Sequence, residues 1–297
     1  MTIPAKPTVL LSGATGFLGS YLLRALLRHG CTVVAAKRST SSTWRIADLL
    51  DRIEAVDVDQ VSLNEVFDRR QIDIVIHSAT CYGRKGESVQ RIVESNLVYP
   101  LTLLELASRH STAFINTDTV LPEGLNYYVL SKKQFLEYGR RFAEGPGPHF
   151  LNLRLEHIYG PNDDPGGFIP FLIQAFLRNE PYVDLTKGEQ RRDFVFVEDA
   201  VDAYLLLLSN LWRLKHPYAE YTIGSGEARE LAAVVRRIHA ACGGATELRF
   251  GALPYRAGEV MHSQADIGPL QVLGWAPSVG LDAGLIRTIE IERRRTN

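Results

Sequence analysis

The apolar positions in the first half of the chain switch repeatedly between two patterns. "TVLLSG" (8–13) is an unbroken apolar run of strand length. "FLGSYLLRALLRHG" follows with apolar residues at 18, 22, 25 and 26, one helical face that Gly30 is placed to close. "CTVVAAK" predicts a second strand, and "DIVIHSA" (73–79) a later one after a polar helix near 62–70. A long helix is predicted from about Ser88 to Arg109, kinked at Pro100, which cannot donate a backbone hydrogen bond. "AFINTD" (113–118) reads as a strand, "NYYVLSKKQF" (126–135) opens a helix, and "HFLNLRLEHIYGP" (149–161) reads as strand followed by turn.

Strands without internal alternation, separated by helices, imply a parallel sheet covered on both faces. The predicted fold is therefore α/β: a Rossmann-type, doubly wound domain over 1–160, completed by about 194–217. After Gly160 the pattern loosens into "PNDDPGG", a helix and short strand in "FIPFLIQAFLRNEPYVDL", and strand then helix in "RRDFVFVEDAVDAYLLLLSNLW". Segments 161–193 and 218–297 are predicted to form a smaller, discontinuous α/β domain.

Composition narrows the class without naming a chemistry. A content of 45% hydrophobic and 23% charged residues is that of a soluble globular protein, and a net charge of -1 gives no reason to expect nucleic acid or membrane partners. The terminal "ERRRTN" reads as a solvated tail. Cys31, Cys81 and Cys242 lie far apart, with no C-x-x-C, so reduced thiols in the cytoplasm are expected, with no metal site. "MTIPAKPTVLLSG" enters a strand almost at once and leaves no room for a signal peptide. The most apolar stretch is too short to span a bilayer.

"SGATGFLG" places Gly13, Gly16 and Gly19 directly after the first strand and at the opening of the first helix. Glycines there allow a tight turn and close backbone approach to a pyrophosphate, which also gains from the helix N-terminus. Thr15, Phe17 and Leu18 complete this expected dinucleotide-binding turn, with Ala79 after a later strand. NAD sites of this kind usually carry an acidic residue at the end of the second strand. Here that end reads "AAKRSTSS", with Lys37 and Arg38 and no carboxylate along the chain until Asp48. Two cations suit a 2′-phosphate, which points to NADPH; the plainer reading is two solvated side chains. Asp57 is a candidate for the adenine edge.

Tyr128 and Lys132 stand one helical turn apart and project together. A nearby ammonium is expected to lower the phenol's pKa toward useful acid–base chemistry, while the same lysine holds a nicotinamide ribose. Thr117, at the preceding strand end, is expected to bond the reacting oxygen; Tyr127 and Lys133 are expected to face elsewhere as structural residues.

These elements together resemble the extended short-chain dehydrogenase/reductase superfamily, the NAD-dependent epimerase/dehydratase family. The resemblance runs over nearly the whole chain: "GATGFLG", "DIVIHSA", Asn96, "YVLSK", "LRLEHIYGP", "RRDFVFVEDA", "YRAGEV" and "ADIGPLQVLGWAP". It implies that Tyr128, Lys132 and Thr117 are catalytic, and that Asn96 supports the active site instead of merely satisfying a backbone group. It implies a nucleotide-sugar substrate whose diphosphate is gripped by Arg192 and Arg256, residues that otherwise read as surface ion pairs. Phe168 would bound the nucleotide. A homodimer is the family expectation.

Departures from the family pattern refine the expectation. Family dehydratases carry T-D-E where this chain has Thr117-Asp118-Thr119, so the acid is present and the base is missing. The interval from Thr117 to Tyr128 is much shorter than in epimerases and dehydratases of this branch. Those features resemble CDP-abequose synthase and related nucleotide-sugar 4-ketoreductases, enzymes of deoxysugar biosynthesis of the kind that feeds lipopolysaccharide. Cys81, Tyr82, Asp118, Glu156 and His157 become candidate sugar contacts, with Cys81 equally readable as a packing residue. The rivals are a nucleotide-sugar epimerase, a non-catalytic dinucleotide sensor, and a reductase of a small free ketone.

Overall fold

A computed structural model of the chain describes residues 6–145, 149–211 and 216–296. Residues 1–5, 146–148, 212–215 and 297, to which expectations above extend, lie outside the described residues. The chain divides into two compact units, Met1–Arg154 with Ala203–Tyr221, and Leu155–Asp202 with Thr222–Asn297.

The first unit is built on seven strands: β1 (Thr8–Ser12), β2 (Thr32–Lys37), β3 (Glu54–Asp57), β4 (Ile74–His77), β5 (Ala113–Thr119), β6 (Phe150–Leu155) and β10 (Tyr218–Ile223). Their order is β10-β6-β5-β4-β1-β2-β3, a Rossmann-type parallel sheet. The chain leaves β1 toward β2 on one side and returns to β4 on the other, with Leu10 in register with Val34 and with Val75. Strand order therefore reverses at β1, and in such sheets ligands bind beyond the carboxyl ends of the strands at that point.

Helices α1 (Phe17–Arg28), α2 (Leu63–Arg69), α3 (Val89–Val93), α4 (Tyr99–Arg109) and α5 (Tyr127–Ala143) accompany the sheet. Leu10, Val34, Val75, Phe114 and Phe150 from the strands share one core with Val66, Phe67, Leu103, Leu104 and Phe135 from the helices. The break in the predicted 88–109 helix is a π segment, Glu94–Val98, with Pro100 in the first turn of α4 beyond it. The Tyr99 amide bonds the Glu94 carbonyl five residues back, so the chain widens just before a residue that has no N–H to give.

The second unit contains β7 (His157–Tyr159), α6 (Phe168–Leu177), β8 (Tyr182–Leu185) and β9 (Arg191–Phe196). It continues with β11 (Ala228–Glu230), α8 (Leu231–Cys242), β12 (Glu247–Phe250), α9 (Gly268–Val272) and α10 (Leu281–Thr296). Helix α7 (Val197–Asn210) begins in this unit and ends in the first. Residues 194–202 were expected with the dinucleotide-binding part, but β9 pairs with β7 and β11 and so belongs to the second unit.

Two buried carboxylates tie distant sequence motifs together in this unit. Asp193 accepts from the amides of Ser225 (2.6 Å), Gly226 (2.9 Å) and Ala265 (3.1 Å). Asp199 accepts from the Ser278 amide and hydroxyl and from the Val279 amide, while Trp275 donates its indole N–H to the Asp199 carbonyl. "RRDFVFVEDA" and "LGWAP" thus pin loops, a structural role for residues met first as a family signature.

Among the described residues, no helix is long and apolar enough to cross a membrane. The three cysteines are free.

The seat of α5 on the sheet is set by one glycine. A Cβ at Gly139 would lie 2.1 Å from the Phe150 ring. That ring cannot retreat, because it is fully buried and stacked between Phe114 (5.5 Å) and Tyr218 (6.3 Å). Gly139→Ala is expected to cost about 1–3 kcal/mol through overpacking. Urea unfolding checks this; unchanged stability would mean that α5 does not lie this close to β6.

Candidate active site

The glycine turn fits a dinucleotide by what it excludes. Gly13 has φ +82°, and a Cβ there would stand 2.6 Å from the Ala79 amide nitrogen; a Cβ at Gly19 would stand 1.9 Å from the Gly13 carbonyl oxygen. Backbone therefore packs on backbone at the carboxyl ends of β1 and β4, and only hydrogen fits. Gly16 begins α1 with no side-chain cap, and the first turn carries no acidic residue. The amides of Phe17 and Leu18 are thus left to an anion. Thr15 and Phe17 are part-exposed beside Gly16, while Leu18 is buried. These residues fit a dinucleotide pyrophosphate.

The end of β2 differs from the linear reading. Lys37 is the register partner of Asp57 on β3, and its ammonium pairs with the Asp57 carboxylate. Asp59 accepts from the Ser39 amide and hydroxyl. Carboxylates therefore do stand at this strand end, brought in by β3, and the cation left exposed beside them is Arg38. Asp57, expected at the adenine edge, is committed to Lys37. Sequence reasoning also passed over Arg45, which reaches the Thr15 carbonyl (3.5 Å) and lies over the Trp44 ring (4.5 Å).

Asn96 sits in the π segment, fully buried. Its side chain accepts from the Cys81 amide (2.7 Å) and donates to the Cys81 carbonyl (2.8 Å) and the Ser131 hydroxyl (3.1 Å). It is a clamp that fixes the loop after β4 to α5, and through that loop it sets Tyr82. The Tyr82 ring lies 5.0 Å from that of Tyr128, with the Arg84 guanidinium 4.7 Å over Tyr82.

Helix α5 starts with Asn126 as its N-cap, accepting from the Val129 amide (2.9 Å), so Tyr128 and Lys132 occupy its first turns. Lys132 is buried and donates to the Thr117 carbonyl (2.6 Å). Burial lowers its pKa to about 8, against the pull of Asp118. Tyr128 moves opposite to expectation. Burial pushes its pKa well above the ordinary phenol value, Tyr82 and Asp118 push the same way, and the nearby Thr119 hydroxyl and the charge of Arg84 oppose them. The Lys132 ammonium donates to the strand carbonyl, which leaves further N–H groups for another acceptor.

The Thr117 hydroxyl is likewise engaged, 2.7 Å from the phenol of the buried Tyr204 on α7. Lys133 does not face away: it bonds Asp118 (2.8 Å) and the Thr119 carbonyl (2.8 Å), whereas Tyr127 is exposed. Asp118 is buried and also accepts from Asn152 (3.2 Å), leaving its second oxygen unpartnered among the described residues.

In the second unit, Glu156 is buried at the break between β6 and β7. One oxygen accepts from Ser263 (2.6 Å), and the other lies 3.5 Å from the His157 ring. Arg192 is buried and paired with Glu259 at 2.6 Å, while Arg256 is exposed. Phe168, first residue of α6, is 37% exposed, which leaves part of an aromatic face for a planar partner.

The family model for the NAD dependent epimerase/dehydratase family matches residues 9–224. The chain belongs to that family. A CDP-abequose synthase of Salmonella typhimurium is 35% identical over 94% of this chain and 96% of its own length. The UDP-glucose 4-epimerase of Thermotoga maritima, solved with UDP-glucose, has the same fold, with a TM-score of 0.86 at 24% identity over 98% of this chain and all of that one. The UDP-glucose 4-epimerase of Thermus thermophilus, solved with NAD, reaches 0.82 at 25% identity over 96% of this chain and 99% of that one.

In this member of the epimerase/dehydratase family, the buried lysine gives a signature in stability. The folded state releases the Lys132 proton near pH 8 and the unfolded chain near 10.5. Between those values the unfolded chain binds more protons, so the penalty for burying the charge is full below pH 8 and is relieved as pH rises. Relative to Lys132→Met, the wild type should gain up to about 3 kcal/mol across that window and nothing below it. Denaturant titrations at stepped pH check this; parallel curves would place Lys132 in water.

Proposed function

We propose that this protein uses NADPH to reduce the 4-keto group of a nucleotide-linked 6-deoxyhexose, CDP- or dTDP-linked, with or without a C3 hydroxyl. The observation that carries the reading is the end of β5, where Thr119 stands in place of a carboxylate. A hydroxyl cannot take a proton from carbon as a dehydratase base must. A phenol with a raised pKa keeps its proton at working pH, which suits a donor to a ketone oxygen more than a base toward an alcohol. The 35% identity to a CDP-abequose synthase supports the same substrate class.

A bound dihydronicotinamide supplies the hydride. Tyr128 gives its proton to the ketone oxygen as negative charge builds there, and Lys132 holds the ribose of the cofactor. Arg38 takes the 2′-phosphate. Arg192 and Arg256 take the diphosphate of the substrate, a task suited to the planar guanidinium. Phe168 borders the nucleotide, and Cys81, Tyr82, Asp118, Glu156 and His157 contact the sugar. The working form we propose is a cytoplasmic homodimer.

A second reading, an epimerase with tightly held NAD, is favoured by Asp57 and Asp59 at the end of β2, since carboxylates there suit ribose hydroxyls. Two incubations separate the readings. With a CDP-linked 6-deoxy-4-ketohexose, the reductase oxidises NADPH in step with product; a CDP-hexose without a keto group is left unchanged. An isomer of the plain hexose formed with no NADPH consumed would overturn the proposal.

Tyr128→Phe should lower turnover roughly a hundredfold or more while NADPH still binds. Near wild-type turnover would remove Tyr128 from the chemistry. Arg38→Ala should weaken NADPH about tenfold and leave NADH nearly unchanged, the loss of one charge-assisted contact. Lys37→Met should move preference further toward NADH, because it unmasks Asp57. Fluorescence titration with both cofactors reads these shifts, and equal effects on the two would contradict the assignment.

A further inference from the structure

We infer that Arg45 is a second determinant of cofactor choice, gripping the 2′-phosphate from the glycine turn while Arg38 grips it from the end of β2; this rests on the NADPH reading above and adds a residue to it. In folds of this kind the pyrophosphate lies on the glycine turn and the adenosine ribose beside the end of the second strand. A 2′-phosphate therefore falls between those two places. Arg38 stands at one of them, directly after β2, and Arg45 reaches the other, donating to the Thr15 carbonyl (3.5 Å).

The chain between the two arginines is folded to bring Arg45 there. Just after β2 it doubles back: the Ser41 amide donates to the Arg38 carbonyl (2.9 Å), and the Ser41 hydroxyl accepts from the Arg38 amide (3.2 Å). A short helical segment, Trp44–Arg52, then packs against α1 with Ile46 and Leu49 buried. Arg24 of α1 fixes that segment. Its guanidinium meets both oxygens of Asp48 (2.6 and 2.7 Å) and donates to the Arg45 carbonyl (2.9 Å). The Arg45 guanidinium lies 4.5 Å over the Trp44 ring, a stacking that holds its plane. Arg45 is thus anchored at its backbone by Arg24, along its plane by Trp44 and at its tip by Thr15.

The charges at this end of the sheet call for it. A phosphate monoester carries roughly two negative charges near neutral pH. Lys37 is paired with Asp57, and Asp59 stands close by, bonded to the Ser39 amide and hydroxyl. With Arg38 as the sole cation offered, the phosphate and Asp59 would leave the place strongly negative. Arg45 supplies a further positive charge and a second set of donors. A guanidinium carries five N–H donors in a planar fork, enough to hold a carbonyl and a phosphate together. Arg45 is part-exposed and so accessible to an anion from solvent.

Calorimetry on the full chain with 2′-phospho-ADP-ribose and with ADP-ribose reads the 2′-phosphate apart from nicotinamide and from the sugar substrate. Arg45→Met should weaken the 2′-phosphorylated ligand about tenfold and leave ADP-ribose within about twofold. Arg45→Lys, which keeps the charge without the fork, should recover part of the loss. In a variant carrying both Arg38→Ala and Arg45→Met, the 2′-phosphate should confer no advantage. Equal weakening of both ligands in Arg45→Met would reduce Arg45 to a support of the glycine turn and overturn the inference. Binding indifferent to Arg45 would overturn it too. If the wild type does not prefer the 2′-phosphorylated ligand, the NADPH reading fails and this inference with it. If that preference is lost in Arg38→Ala and intact in Arg45→Met, only this inference fails.

Discussion

A buried ammonium that must find an acceptor organises this active site. Lys132 has no solvent around it, and the acceptor it takes is the Thr117 carbonyl on β5. One residue on, Lys133 bonds Asp118 and the Thr119 carbonyl. Adjacent lysines therefore sew the start of α5 to three consecutive residues at the end of β5. Charge burial is costly, and hydrogen bonds of this kind offset much of the cost. The tie fixes where Tyr128 stands, and with it the aromatic ring of Tyr82 that the phenol meets.

The same need of buried polar groups for partners holds the rest in place. Asn96 directs its amide to the loop after β4, from a π segment that turns its side chain inward. Asp193 and Asp199 direct their carboxylates to loops of the second unit. At the glycine turn no polar device is needed, since backbone contact at Gly13 and Gly19 leaves no room for another residue. A dinucleotide site and a phenol are in this way built on the first unit's strand ends, from contacts that tolerate little substitution.

Much of this was legible in the chain. Unbroken apolar runs alternating with helical faces marked the parallel sheet, and Gly13, Gly16 and Gly19 marked its turn, because period and glycine sterics are local properties. What escaped was set by pairing. Asp57 lies twenty positions from Lys37 yet is its register partner, so counting carboxylates along the chain missed the neighbour that matters. Helical spacing showed that Tyr128 and Lys132 share a face, but not that the ammonium turns to a strand carbonyl. Sequence position likewise put Thr117 at the strand end without showing that Tyr204, from a distant helix, engages its hydroxyl. Arg84 and Arg45 carry no spacing signal at all; only the folded loops bring them to Tyr128 and Thr15.

The central claim is net hydride delivery to a ketone carbon with Tyr128 as proton donor. Its most direct measurement follows the hydride itself, using NADPH deuterated at both C4 positions of its nicotinamide and a CDP-linked 6-deoxy-4-ketohexose. Mass spectrometry and proton NMR of the product should show a single deuterium bound to C4 of the sugar, retained in ordinary water. A product without carbon-bound deuterium at that position would contradict the account.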